Sequence, residues 1–216
     1  MATMILIEGE PGTGKSTSIR NLNPKQTVVI TPNCKQLPFK GGKAYSEANT
    51  NLKRTDDMKS CAALMKLISD NQKHVKTIII EDFTHFFTAR VVKDANKTGY
   101  QKWSDMAVDC FNTLVKTQDE MREDLFVIMI AHTACKEGKY FLQTPGMFLE
   151  EKIKIPSYFL FILHTIVTCT GIENEYQFLT QTDGVHEAKS PMGCFETYEP
   201  NDLKVILNKI VNYWKE

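Results

Sequence analysis

At 216 residues the chain is long enough for one α/β domain, residues 1–216, with a substantial core. Its 26 basic and 26 acidic residues cancel, which excludes a global electrostatic pull toward nucleic acid or membrane. Six widely spaced cysteines with no C-x-x-C pair argue against a zinc site or a disulfide framework and for small buried thiols in a reducing compartment.

Residues 4–7, Met-Ile-Leu-Ile, read as a buried strand. They run into Gly9-Glu10-Pro11-Gly12-Thr13-Gly14-Lys15-Ser16, followed by Thr17 and a helix-compatible stretch over 16–22. Residues 27–31 give a second strand, and residues 31–51, with Pro32, Pro38 and Gly41-Gly42, a polar loop. Met58, Cys61, Met65 and Ile68 mark one face of a helix over 57–71, capped by Thr55 or Asp56. Residues 77–80 form a third unalternating strand and 126–130 a fourth; between them Trp103, Met106, Ala107, Cys110, Leu114 and Met121 outline a long amphipathic helix. Continuous apolar strands separated by helices predict a mainly parallel sheet covered on both faces. Residues 159–170 and 175–181, joined by a turn at 171–174, predict an antiparallel pair at one sheet edge. Leu203, Ile206, Leu207, Ile210 and Trp214 predict a closing helix. The N-terminus lacks a basic signal region, and the longest apolar stretch, 158–169, is too short to cross a bilayer. The expectation is a soluble, cytoplasmic protein with no membrane contact.

Gly9, Gly14, Lys15 and Ser16 fill the P-loop pattern G-x-x-x-x-G-K-[ST], and the preceding strand gives it its proper setting. Glycines let the backbone N–H groups of residues 10–15 converge on a phosphate, which a following helix N-terminus also favours. Lys15 is expected to reach the β- and γ-phosphates and Ser16 to ligate Mg²⁺. Residues 77–82, Thr-Ile-Ile-Ile-Glu-Asp, match a Walker B strand, expected beside the first strand, with Glu81 and Asp82 available to the metal. Glu81 stands on the metal side, directly or through water, and Asp82 is the candidate to polarise the attacking water. His132 and Thr133 follow the strand at 126–130, where carboxyl ends of α/β strands meet their ligand. His132 can sense the γ-phosphate; a solvated histidine at a strand end accounts for it equally well. Residues 134–151 interleave Lys136 and Lys139 with Tyr140, Phe141 and Phe148, a pattern suited to single-stranded nucleic acid, though a plain surface hairpin explains it too. Lys189, before Ser190-Pro191-Met192-Gly193, is a candidate finger that neutralises transition-state charge, including on a neighbouring subunit.

Together these segments resemble the phage-encoded RecA-like P-loop ATPases, the group that includes phage single-strand-annealing ATPases. The stretches that carry the resemblance are 9–16, 35–41, 77–83, 129–133 and 189–196, in family order over nearly the whole chain. The 189–196 segment is the most particular of them. The resemblance implies a RecA-like core, ATP with Mg²⁺, ring or filament assembly of a homo-oligomer, and a role in phage DNA recombination, annealing, replication or repair in the host cytoplasm. Two positions depart from the pattern. Glu81 stands where the family's Walker B commonly has Asp, and Thr31-Pro32-Asn33 stands where RecA-type recombinases place a catalytic Glu.

Three functions remain open from sequence. The first is an ATPase acting on DNA, possessing the roles assigned above. The second is an ATP-bound scaffold that recruits replication or recombination proteins without hydrolysis. The third is a nucleoside or nucleotide kinase, disfavoured because Arg20, Arg54, Arg90 and Arg122 are the only arginines and no arginine-rich lid is evident.

Overall fold

The computed structural model describes residues 1–33, 35–113, 117–145, 148–169, 171 and 173–215. Among these residues nine strands form one mixed sheet. They are β1 (Thr3–Gly9), β2 (Thr27–Thr31), β3 (Leu52–Arg54), β4 (Thr77–Ile80), β5 (Phe126–Lys136), β6 (Lys139–Leu142), β7 (Phe161–Cys169), β8 (Asn174–Leu179) and β9 (Tyr198–Pro200). Their order is β3-β2-β4-β5-β1-β7-β8-β9, with β6 paired to β5 off the main path. Every pairing from β3 through β7 is parallel; β8 and β9 are antiparallel, as is the β5–β6 hairpin. The predicted antiparallel edge is therefore present, but it starts only at β8, because β7 itself runs parallel to β1. The expectation that the Glu81 strand lies beside the first strand is corrected: β5 is inserted between β4 and β1.

Alternate residues of the parallel strands feed two cores, as the period of two requires. Met4, Leu6, Ile78, Ile80, Val127 and Met129 face one side, where α1 (Met58–Asn71), α2 (Phe83–Lys93) and α3 (Gln101–Phe111) pack. Ile5, Ile7, Ile79, Ile128 and Ile130 face the other, covered by Ile19 and by Leu203, Ile206 and Ile210 of α5 (Leu203–Tyr213). Helices on both faces, predicted from the continuous apolar runs, thus follow.

Several local expectations are revised. Residues after the glycine loop form a 3-10 helix, Ser16–Asn21, not an α-helix. The segment is short, ends before Pro24, and the Ser18 hydroxyl donates to the Lys15 carbonyl at 2.5 Å, which competes with α-helical pairing. The cap of α1 is Asp57, whose extended backbone lets its carboxylate accept from Ser60 N–H at 2.9 Å; Thr55 instead accepts from Asp57 N–H. Of the long helix expected over Trp103–Met121, the described residues show α3 and α4 (Thr117–Asp119), and Leu114 lies outside the described residues. Trp214 lies past the end of α5 and is 58% exposed, so it is not part of the buried stripe. Of the described thiols, Cys61, Cys110 and Cys194 are buried as expected, whereas Cys135 and Cys169 are exposed; Cys34 lies outside the described residues. No helix among the described residues is long and apolar enough to cross a membrane.

Candidate functional site

A cleft of about 1110 Å³ runs across the carboxyl ends of the parallel strands. Pro11, Gly12, Gly14, Lys15, Ser16 and Thr17 line its middle, Glu81, Asp82 and His132 one side, and Tyr176 and Asn201 the other. Strand order explains this span: β4 lies two places from β1 in one direction and β8 two places in the other. Gly9, Glu10 and Thr13 are not among the lining residues; they form the back of the loop.

The loop is closed on itself by Lys15, whose Nζ donates to the Gly9 carbonyl at 2.8 Å and the Glu10 carbonyl at 2.6 Å. Burial pulls the Lys15 pKa down to about 8, against the opposing pull of Glu81, Asp82 and Glu10. Gly14 has φ +92°, a conformation that strains any side chain, and a Cβ there would crowd the Tyr176 ring at 3.0 Å and the Asn201 amide at 3.2 Å. Asn201 is in turn fixed through its carbonyl, which accepts from Arg20 Nη1 at 2.5 Å.

The Ser16 hydroxyl donates to Glu81 Oε1, although the strands they follow, β1 and β4, are not neighbours. Glu81 Oε2 is enclosed and has no hydrogen-bond partner among the described residues, and burial pushes the Glu81 pKa up to about 7. Asp82 has a left-handed backbone, φ 59° and ψ 46°, uncommon outside glycine but tolerated by Asp. This turns the chain directly from β4 into α2 while the carboxylate stays at the cleft wall. There Asp82 Oδ1 meets His132 Nε2 at 3.2 Å and Oδ2 accepts from Asn33 Nδ2 at 2.7 Å. The His132 contact is the main reason the Asp82 carboxyl is held below its ordinary pKa. The paired acids therefore differ: Asp82 favours the ionised state, and Glu81 resists it while its second oxygen is unpartnered.

Lys15, Ser16, Glu81, Asp82 and His132 are thus brought together. Lys189 is not: it does not line the cleft, and its backbone pairs with Ile162 on the outer side of β7, with N–H···O distances of 3.0 and 2.8 Å. His85, in the first turn of α2, borders a smaller cavity of about 280 Å³ that also touches Asp82 and His132. The segment at 134–151 is in part the β5–β6 hairpin, turning at Glu137-Gly138. Tyr140 is stacked on His186 with centroids 4.9 Å apart, which leaves Phe141 as the exposed ring of the hairpin; Gly146 and the Phe148 side chain lie outside the described residues.

Sequence reasoning did not single out Asn33, Thr165, Tyr176 or Asn201. Asn33 had a signal, since it lies two residues past the end of β2, the strand beside β4, in the Thr31-Pro32-Asn33 stretch noted above. The others reach the loop from β7, β8 and the turn after β9, through pairings that no local pattern encodes.

No protein-family model matches this chain, and no curated protein matches it.

Proposed function

We propose that the protein is a Mg²⁺-dependent ATPase of RecA-like type that acts on DNA in recombination, annealing, replication or repair. The observation that carries the reading is the Ser16–Glu81 hydrogen bond at the mouth of the glycine loop, with Asp82 beside it. A P-loop serine and an acidic strand end side by side are the donor set for a magnesium ion on a bound triphosphate. The Glu81 Oε2 without a partner among the described residues supports the fit, because a cation would satisfy that oxygen and offset the burial that raises its pKa. When bound, Mg²⁺ neutralises charge on the phosphates.

The remaining roles fall to the chain itself. Backbone N–H groups of residues 10–15 cradle phosphate, with Gly9 to Thr17 forming the nucleotide-binding segment. Lys15 leaves the Gly9 and Glu10 carbonyls for phosphate oxygens. Asp82, kept ionised by His132 and oriented by Asn33, accepts a hydrogen bond from the attacking water. His132 transmits the state of that water to β5. The ribose and base leave the loop past Tyr176, at the end of the cleft away from Asp82. Lys189, which does not line its own cleft, acts on the nucleotide of an adjacent copy in a ring or filament.

The test is phosphate release from ATP–Mg²⁺, with and without single-stranded DNA, beside Lys15→Ala. Release that DNA stimulates and the variant abolishes is expected. ATP binding without release above background transfers the reading to an ATP-switched scaffold. A kinase is kept as a second reading because the cleft continues past Asp82 to Lys35, Lys43 and Arg54, cations suited to a second phosphate-bearing ligand. Phosphate transfer to a nucleoside monophosphate would establish it.

A further inference from the structure

We infer that Thr165, on β7, is a positioning residue that holds the first half of the glycine loop in its ligand-receiving shape; this rests on the reading of residues 9–16 as a phosphate loop. Register places it there. Glu8 pairs with His164, so Thr165 stands level with Gly9, where the chain leaves β1 for the loop. Thr165 is 2% exposed, and its Oγ1 lies 2.5 Å from Thr13 Oγ1 and 3.1 Å from the Glu8 carbonyl. Thr13 Oγ1 is also 2.7 Å from the Glu10 carbonyl. A Cβ at Gly9, where φ is +153°, would stand 2.1 Å from the Thr165 hydroxyl oxygen. The hydroxyl therefore occupies the space that the missing side chain leaves.

Two hydroxyl hydrogens serve three contacts. Were both hydroxyls to donate to carbonyls, two oxygen lone pairs would face each other at 2.5 Å, so a hydrogen lies between them: either Thr165 donates to Thr13 and Thr13 to the Glu10 carbonyl, or Thr13 donates to Thr165 and Thr165 to the Glu8 carbonyl. Both arrangements keep the link between β7 and the loop. Its importance grows when ligand arrives. In the closed loop Lys15 holds the Gly9 and Glu10 carbonyls. Once its ammonium moves to phosphate, the Glu10 carbonyl keeps Thr13, through its hydroxyl at 2.7 Å and its backbone N–H at 3.4 Å, and Thr165 is the side chain that ties that turn to β7. The second half of the loop is supported separately, by Tyr176 and Asn201 against Gly14.

The experiment compares Thr165→Val, which preserves shape and removes the hydroxyl, with Thr165→Ser, which restores it. Thr13→Ala is included because it breaks the same contact from the loop side and leaves the core untouched. Two readouts are taken on the full chain: amide hydrogen exchange of residues 9–15 without nucleotide, and affinity for ATP–Mg²⁺. Thr165→Val and Thr13→Ala are expected to speed exchange and raise the nucleotide Kd about tenfold each, the order expected for one buried hydrogen bond, with Thr165→Ser close to wild type. Exchange that stays at the wild-type rate in Thr165→Val and Thr13→Ala overturns the inference, whatever happens to affinity. Faster exchange with unchanged affinity overturns the positioning role. If the wild type binds ATP–Mg²⁺ no better than Lys15→Ala, the phosphate-loop reading falls and the positioning role with it, while exchange still shows whether Thr165 orders residues 9–15.

Discussion

Burial at the end of β1 takes the Glu8 carboxyl out of water and pushes its pKa from 4.5 up to about 8, an effect that His186 partly offsets. Its neighbour His164, 3.3 Å away, is pushed down to about 4 by burial and by His186. Near neutral pH the pair is thus an uncharged acid beside an uncharged imidazole. The folded state holds a proton on Glu8 that the unfolded chain has lost, so stability falls as pH rises from about 4.5 through about 8. His164 has the opposite sign between about 4 and 6.5, and Glu81 and Glu187, both raised to about 7, share the sign of Glu8 below that value. Lys15, lowered to about 8, adds stability only as pH rises above that value. The window near pH 7 to 8 therefore belongs mainly to Glu8. In that window Glu8→Gln is expected to melt at a nearly constant temperature while the wild type loses stability. Parallel melting curves for the two proteins would show that Glu8 is not the group responsible.

At the scale of elements, α1 shows how a few residues set a boundary. Asp57 is extended, its carboxylate takes the Ser60 N–H and hydroxyl, and Met58, Cys61, Met65 and Ile68 turn inward behind it. Asp57→Ala should cost about 1 kcal/mol, and roughly 2–4 °C in Tm for a chain of this size. Serine at the same position should recover most of it, as calorimetry can check. The helix and its face were legible in sequence because its apolar residues repeat at helical spacing. The cap was displaced by one or two positions because Thr55, Asp56 and Asp57 are all competent cap residues, and only backbone geometry chooses among them. The 3-10 form of Ser16–Asn21 was equally hidden, since a helical turn of either kind presents Ile19 to the core. α2 carried a readable signal in Phe83, Phe86 and Phe87, which are buried against the sheet at helical spacing, yet the sequence reading left it unassigned.

For the whole molecule, zero net charge and the absence of Lys189 from the lining of its own cleft bear on assembly. If Lys189 completes the site of an adjacent copy, Lys189→Ala should release phosphate at least about tenfold more slowly while binding ATP normally. Mixing it with Lys15→Ala should restore part of the activity, because mixed interfaces join an intact loop to an intact Lys189. An unrestored mixture, with both variants folded and associated, would place the role of Lys189 elsewhere.

Sequence alone determined what the chemistry of single segments can determine. The glycine loop, the acidic strand end, the four central strands and the two-faced burial of the sheet are each encoded within about ten consecutive residues. Tertiary structure decided what depends on which strands become neighbours. Insertion of β5 between β4 and β1, the reach of Ser16 to Glu81 across it, the Asn33–Asp82–His132 grouping and the hold of Thr165 on Thr13 all join residues far apart in the chain. Local propensity does not distinguish one parallel strand order from another, because every buried apolar strand satisfies the same pattern. The order is fixed only when the crossover helices and both cores pack together.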